Sequence, residues 1–265
     1  MMSRFLGCAL LLAAASAAAQ SPAQVHVSVE GAVRRPATYA LSGDARLSDP
    51  ILAAMPTSEA YTTGAALLRR QAIAPQTRLR AGLEHSLQAL RTAENTPPAV
   101  AETAARLEAW LTTMPVTGRI PTTQLDGRRL EAAAEANLPV RDGDRLVYPL
   151  RPDTISVVGA VEAPCRLPHV ALREAADYLR QCPPQGADAD LLYVIQPDGH
   201  VAQIGIAAWN RSPAQALAPG AVLYVPLPER ALRRIDPDFN REFAQFLATQ
   251  PIALPGSPRV QDTAR

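Results

Sequence analysis

Apolar and polar residues alternate with a period of two through Val27-Ser-Val-Glu-Gly31-Ala-Val-Arg-Arg-Pro36. The same order returns at Ile155-Ser-Val-Val-Gly159-Ala-Val-Glu-Ala-Pro164. Period-two alternation predicts a half-buried strand. The glycine admits a turn with positive φ or close backbone approach, and the proline ends pairing or marks a sheet edge. The closing phrases match as well. Val140-Arg-Asp-Gly143-Asp-Arg-Leu-Val-Tyr-Pro149-Leu parallels Leu217-Ala-Pro-Gly220-Ala-Val-Leu-Tyr-Val-Pro226-Leu. Two openings and two closings in one order predict a duplicated domain.

Between these phrases the period changes. Residues 25–39 predict a hairpin and 47–55 a short helix with Pro50 in its first turn. Residues 60–70 fit either a strand or a short helix. Leu79, Leu83, Leu87 and Leu90 then recur on one helical face. Asn95-Thr-Pro-Pro98 breaks that helix, and Val100, Leu107, Trp110 and Leu111 mark a second, ending before Pro115. A short proline turn between them predicts an antiparallel helical hairpin. It interrupts the first unit and has no counterpart in the second. Gly118-Arg-Ile-Pro121 returns the chain to the first sheet, 125–138 carries a turn and an alanine-rich segment, and 146–150 closes the unit. Arg151-Pro152 is a linker short enough to hold the two units together.

In the second unit, 154–161 predicts a strand, 170–179 a helix and 191–206 a hairpin turning at Pro197-Asp-Gly199. The closing strand is 222–225. Beyond Pro228, Asp236-Pro237 starts a helix with Phe239, Phe243, Phe246 and Leu247 on one face. Residues 251–265 are polar and proline-rich, as in a disordered tail.

The opening phrase V-x-V-x-G-A-V-x-x-P and the closing G-D-x-L-x-x-P resemble SLBB (soluble-ligand-binding β-grasp) domains. The order of the whole resembles the GfcC-like capsule biosynthesis family, related to the polysaccharide export proteins. The resemblance implies an α+β fold: two tandem β-grasp (SLBB-like) domains with a helical-hairpin insertion in the first and a C-terminal amphipathic helix. The expected divisions are a signal peptide at 1–19, a first β-grasp domain at 20–151 with its insertion at about 76–114, a second at 152–228, the helix at 229–250 and the tail at 251–265. The implied role is a periplasmic accessory of capsule or exopolysaccharide assembly and export. Its expected partner is a polysaccharide or an outer-membrane polysaccharide export protein. Binding without catalysis is the expected mechanism. The alternatives are a ring-forming structural subunit of an export complex and, further off, a polysaccharide-modifying hydrolase.

Composition trims the other classes. The net charge is +1, which gives no electrostatic case for nucleic acid or an acidic membrane. All 26 basic residues are arginines, so Schiff-base chemistry and a P-loop lysine are excluded. Residues 1–19 hold a positive start, an apolar run and Ala17-Ala-Ala19, the pattern of a cleavable secretory signal. Cys8 precedes most of the apolar run, which argues against a lipoprotein signal. No later stretch has the length and apolarity to span a bilayer. The expected location is the periplasm, with outer-membrane association open.

The chemistry-bearing residues are few. His26, His85, His169 and His200 lack metal-ligand spacing, and no G-x-S-x-G or H-E-x-x-H occurs. The pairs Asp142/Asp144 and Asp188/Asp190 sit in turn signals. No cofactor or metal is implied. Cys165 and Cys182 form a disulfide in an oxidising compartment or stay as buried thiols. By the resemblance, Arg119 lines a ligand pocket where the insertion rejoins the sheet. The structural reading is an arginine paired with an acid such as Asp126 or capping backbone carbonyls. For Trp209, beside Asn210, packing is the expected role. An exposed ring would instead make both residues part of a sugar-binding platform. The face of Phe239, Phe243, Phe246 and Leu247 docks on its own domains, on a partner or on a membrane. About a dozen apolar-stretch residues fall short of the roughly 20 that a spanning helix needs.

Overall fold

The computed structural model describes residues 24–122, 124–187 and 190–254. The expected signal peptide with Cys8, the residue Asp188 and the tail from 255 lie outside the described residues. The first unit runs β1 (Gln24–Gly31), β2 (Ala37–Ser42), α1 (Ser48–Ala54), β3 (Ala66–Leu68), α2 (Ile73–Thr92), α3 (Pro98–Thr113), β4 (Arg119–Ile120), α4 (Gly127–Ala132) and β5 (Arg145–Tyr148). The second runs β6 (Thr154–Gly159), β7 (Cys165–Pro168), α5 (Ala175–Tyr178), β8 (Leu191–Ile195), β9 (Val201–Gly205) and β10 (Val222–Val225). It is followed by α6 (Glu229–Leu232) and α7 (Phe239–Ala248).

Each unit forms one mixed five-stranded sheet, ordered β2-β1-β5-β3-β4 and β7-β6-β10-β8-β9. Numbered within its own unit, each sheet has the order 2-1-5-3-4. Among the described residues the only parallel pairs are β1 with β5 and β6 with β10. The repeated phrases build the same corner twice. Gly31 and Gly159 have φ of +96° and +102°, and a Cβ on either would run into the carbonyl of Tyr148 or Val225. The next amide uses that carbonyl: Ala32 donates to Tyr148 O at 2.7 Å and Ala160 to Val225 O at 2.9 Å. Bridges Val33 to Pro56 and Val161 to Pro184 then lock each corner.

The ambiguous stretch 60–70 yields a strand, β3, between β4 and β5. The expected helix at 170–179 shrinks to the four residues of α5. Leu172 interrupts it, holding a left-handed φ of +62° with 92% of its surface exposed.

One difference between the units is chemical. Arg69 and Asp144 form a buried ion pair, Nη2 to Oδ2 at 2.7 Å, with 8% and 1% exposure. Arg69 also donates to Pro139 O, and Asp144 accepts from the Arg141 amide, both at 2.9 Å. In the second unit the register puts Gln196 where Arg69 stands and Ala221 where Asp144 stands. The Gln196 amide makes both equivalent bonds alone, to Ala216 O at 2.8 Å and from the Ala218 amide at 3.1 Å.

The insertion belongs to the first unit by sequence and to the second by packing. Leu83, Leu87, Leu90, Leu107 and Trp110 share one core with Val158, Tyr193, Tyr224 and α7. The first unit's own core is separate, built on Val27, Val29, Leu47, Ile51, Leu146 and Tyr148. The outer faces of the sheets explain the choice. Glu30, Val147 and Ala66 lie side by side on the first. Val158, Tyr224 and Tyr193 occupy the matching places on the second. The second sheet therefore has two apolar faces, and β6 is buried at every position after Thr154.

Candidate functional site

Three places were singled out by sequence, and the structure separates them. The first is Arg119, which begins the two-residue strand β4 beside β3. The Gln76 side chain of α2 holds this edge, accepting from the Gly118 amide at 2.8 Å and donating to Arg119 O at 2.7 Å. Arg119 itself is 3% exposed. Its fork donates to Ala248 O at 3.3 Å and Gln250 O at 3.1 Å, at the end of α7, and to Pro197 O in the β8–β9 turn. Its Nε has no hydrogen-bond partner among the described residues. Burial lowers its pKa from 12.5 to about 10, opposed by the field of Asp198. This is the carbonyl-capping role: a cation complements the negative end of a helix. Asp126 instead caps α4, accepting from the Arg129 amide at 3.0 Å. Arg119 thus ties α7 and the second unit to the point where the insertion rejoins the first sheet.

The second place is α7. Phe239, Phe243 and Phe246 are fully buried and Leu247 is 5% exposed. Phe243 packs against Tyr224 at 5.0 Å, Phe239 at 5.5 Å and Trp110 at 6.2 Å between ring centroids. Asn240 fixes the helix to the sheet, accepting from Tyr224 Oη and the Leu227 amide and donating to Leu227 O. The expected partner-docking or membrane-docking face is therefore covered by the chain itself, the self-docking alternative. Ile252 follows it across both units, against Gly64 and Gly220. Leu254 packs on Ala66, Leu68 and Val147. The described start of the expected tail, 251–254, is thus packed chain: Ile252 fills the space over two turn glycines and Leu254 lies on the outer face of the first sheet.

The third place is the loop after β9. The packing expectation for Trp209 fails, since 77% of its surface is exposed. The loop that presents it is pinned throughout. Asn210 accepts from the Ala207 amide and donates to Asp190 O, both at 3.0 Å. Ser212 donates its amide to Gly205 O and accepts the Gly205 amide on its hydroxyl, both at 2.9 Å. Gly205 has no side chain because the Asn210 backbone lies where a Cβ would be. Asn210 therefore spends its polar atoms on the loop and leaves the ring of Trp209 outward. A shallow cleft of about 30 Å³ lies between this loop and the start of α5, with Glu174 and Arg211 on it. Sequence reasoning missed Glu174 and Arg211, since nothing local joins residues 37 positions apart. Arg119 and Trp209 share no site.

Cys165 and Cys182 form a disulfide with Cα atoms 6.1 Å apart. It joins β7 to the chain after α5. His169 bonds Leu217 O through Nε2 at 2.8 Å, and His26 sits 3.3 Å from Asp142. These are turn and strand-end contacts.

Residues 163–252 match the family described as capsule biosynthesis GfcC C-terminal. That span holds β7 to β10, the Trp209 loop and α7. Over 211 residues the chain is 27% identical to the uncharacterized protein YjbG of Escherichia coli (strain K12), covering 78% of this chain and 79% of that protein.

Proposed function

We propose, from the premise that the chain is a GfcC-like capsule biosynthesis protein, that it is a periplasmic accessory of capsule or exopolysaccharide assembly and export that acts by binding. Its partner is the polysaccharide or an outer-membrane polysaccharide export protein. The common strand order of the two sheets supports reading both units as β-grasp domains. The disulfide fits an oxidising compartment. Among the described residues, no helix is long and apolar enough to cross a membrane.

The observation that carries the binding reading is Trp209, exposed on a loop whose polar atoms hold it in one shape. An indole stacks on the C–H face of a sugar ring through its large apolar surface. A loop ordered beforehand loses little freedom on binding, so more of the contact appears as affinity. Arg119 has no part in this contact; its fork is spent on the carbonyls of Ala248, Gln250 and Pro197.

The chain has two tryptophans, and Trp110 is only 8% exposed. Iodide quenching therefore reports chiefly on Trp209. Purified capsular polysaccharide fragments should shield it, and Trp209→Ala should weaken their binding by about tenfold or more, or at least 1.4 kcal/mol. Unchanged quenching at saturating polymer refutes a glycan contact at this ring. In a deletion strain, surface and periplasmic polymer should be measured apart. Retention inside with loss outside supports export, loss of both supports assembly, and no change refutes the role.

A further inference from the structure

The two sheets have four edge strands, and they are not alike. In β7 the residues whose amides face outward are Arg166 and Pro168, and Cys165 is tied by the disulfide. Proline, charge and shortness are standard defences of an edge. Strand β4 is two residues long and held by Gln76. Strand β9 ends under Ser212, which takes both polar groups of Gly205.

Strand β2 has none of these. It reads Ala-Thr-Tyr-Ala-Leu-Ser over Ala37–Ser42, with no charge and no proline. The register shows which groups have no partner among the described residues. Ser28 donates to Asp144 O and His26 accepts from the Gly143 amide, so the even residues of β1 face β5. Its odd residues bond β2, at Val25–Leu41, Val27–Tyr39 and Val29–Ala37. The N–H and C=O of Thr38 and Ala40 consequently point away from the sheet. Both residues are exposed, and Tyr39 and Leu41 remain half-exposed at the rim of the core.

We propose that β2 pairs with β2 of a second copy, antiparallel about a two-fold axis at Tyr39, joining the first-unit sheets into one of ten strands. In this register Thr38 of each copy exchanges two hydrogen bonds with Ala40 of the other. Leu41 lies across from Ala37, which covers the half-exposed rim. The flanks set the choice of partner. Arg34 and Arg35 precede the strand, Asp44 follows it, and among the described residues none of the three makes an ion pair. Antiparallel self-pairing sets Arg34 of one copy at the end where Asp44 of the other stands. A parallel pairing would set arginines against arginines. The contact is isologous and closes at two copies; it makes no ring.

Sedimentation equilibrium of the full chain tests this. The mean mass should climb toward that of a dimer with half-association at roughly 100 µM, between the millimolar and micromolar marks of weak binding. Ala40→Pro removes an outward N–H and leaves the β1 ladder intact, so it should weaken association at least tenfold with an unchanged circular dichroism spectrum. The axis makes a separate demand, independent of how that variant folds. Tyr39→Cys should cross-link two copies under mild oxidation, because facing residues of a non-hydrogen-bonded pair have Cα atoms about 4.5 Å apart. Thr38→Cys should not. A chain that stays monomeric to about 1 mM, or cross-links equally at both positions, overturns the proposal and leaves the edge to a strand of another protein.

Discussion

Replacing the Arg69–Asp144 pair by the residues of the other unit should nearly preserve stability, although breaking it by halves should not. Asp144 is 1% exposed and Arg69 8%. Arg69→Gln alone leaves a carboxylate in the interior with little beyond the Arg141 amide at 2.9 Å. Asp144→Ala alone leaves a guanidinium with Pro139 O. Each single change strands a buried charge, at a cost of about 3–5 kcal/mol. The double variant Arg69→Gln, Asp144→Ala copies Gln196 and Ala221. There a neutral amide already makes both backbone bonds, at 2.8 and 3.1 Å. With no charge buried and both bonds replaced, the double variant should lie within about 1.5 kcal/mol of the native chain, the range of one net hydrogen bond. The cycle should therefore show a coupling of several kcal/mol. Urea unfolding followed by both far-ultraviolet dichroism and tryptophan fluorescence measures it, with slopes compared to check for two-state behaviour. Additive losses, with the double variant as weak as the sum of the singles, would refute the claimed equivalence of the two corners.

Phe243→Ala should cost about 3–5 kcal/mol, as for other buried aromatic truncations, and should shift Trp110 fluorescence as α7 loosens; a shift with no loss of stability contradicts the packing described. Removing the Cys165–Cys182 bridge, which closes a separation of 17 residues, should cost about 3 kcal/mol, read as a lower melting temperature in reductant or in the double alanine variant. Alkaline stability has a definite sign. Burial raises the phenol pKa of Tyr148 and Tyr224 above 10, so their contribution is complete below pH 10 and is lost as pH climbs toward the folded values. The lowered pKa of Arg119, about 10, acts the other way between 10 and 12.5. In melts from pH 8 to 11 the fall above pH 10 should be steeper for the native chain than for Tyr148→Phe and Tyr224→Phe; parallel curves would assign the loss elsewhere.

The duplication is legible along the chain, because each corner is a local device. A glycine with positive φ, a turn amide and a closing strand lie in short phrases that occur twice. The two helices of the insertion and the amphipathic face of α7 are legible too, since each is a periodicity within one element. What the helices cover was decided only in three dimensions. The signal existed in pairs of positions: Glu30 against Val158, Val147 against Tyr224, Ala66 against Tyr193. It became readable once strand register showed that these residues share a face. The same holds for Arg119, whose carbonyl partners lie 78 to 131 residues away, and for Trp209. Whether an indole is core or surface depends on whether another element arrives to cover it. Here the polar atoms of Asn210 and Ser212 close the loop beneath the ring, and among the described residues nothing covers it. Local sequence specifies torsions and periodicity; burial is a sum over the whole chain, and only the folded structure evaluates it.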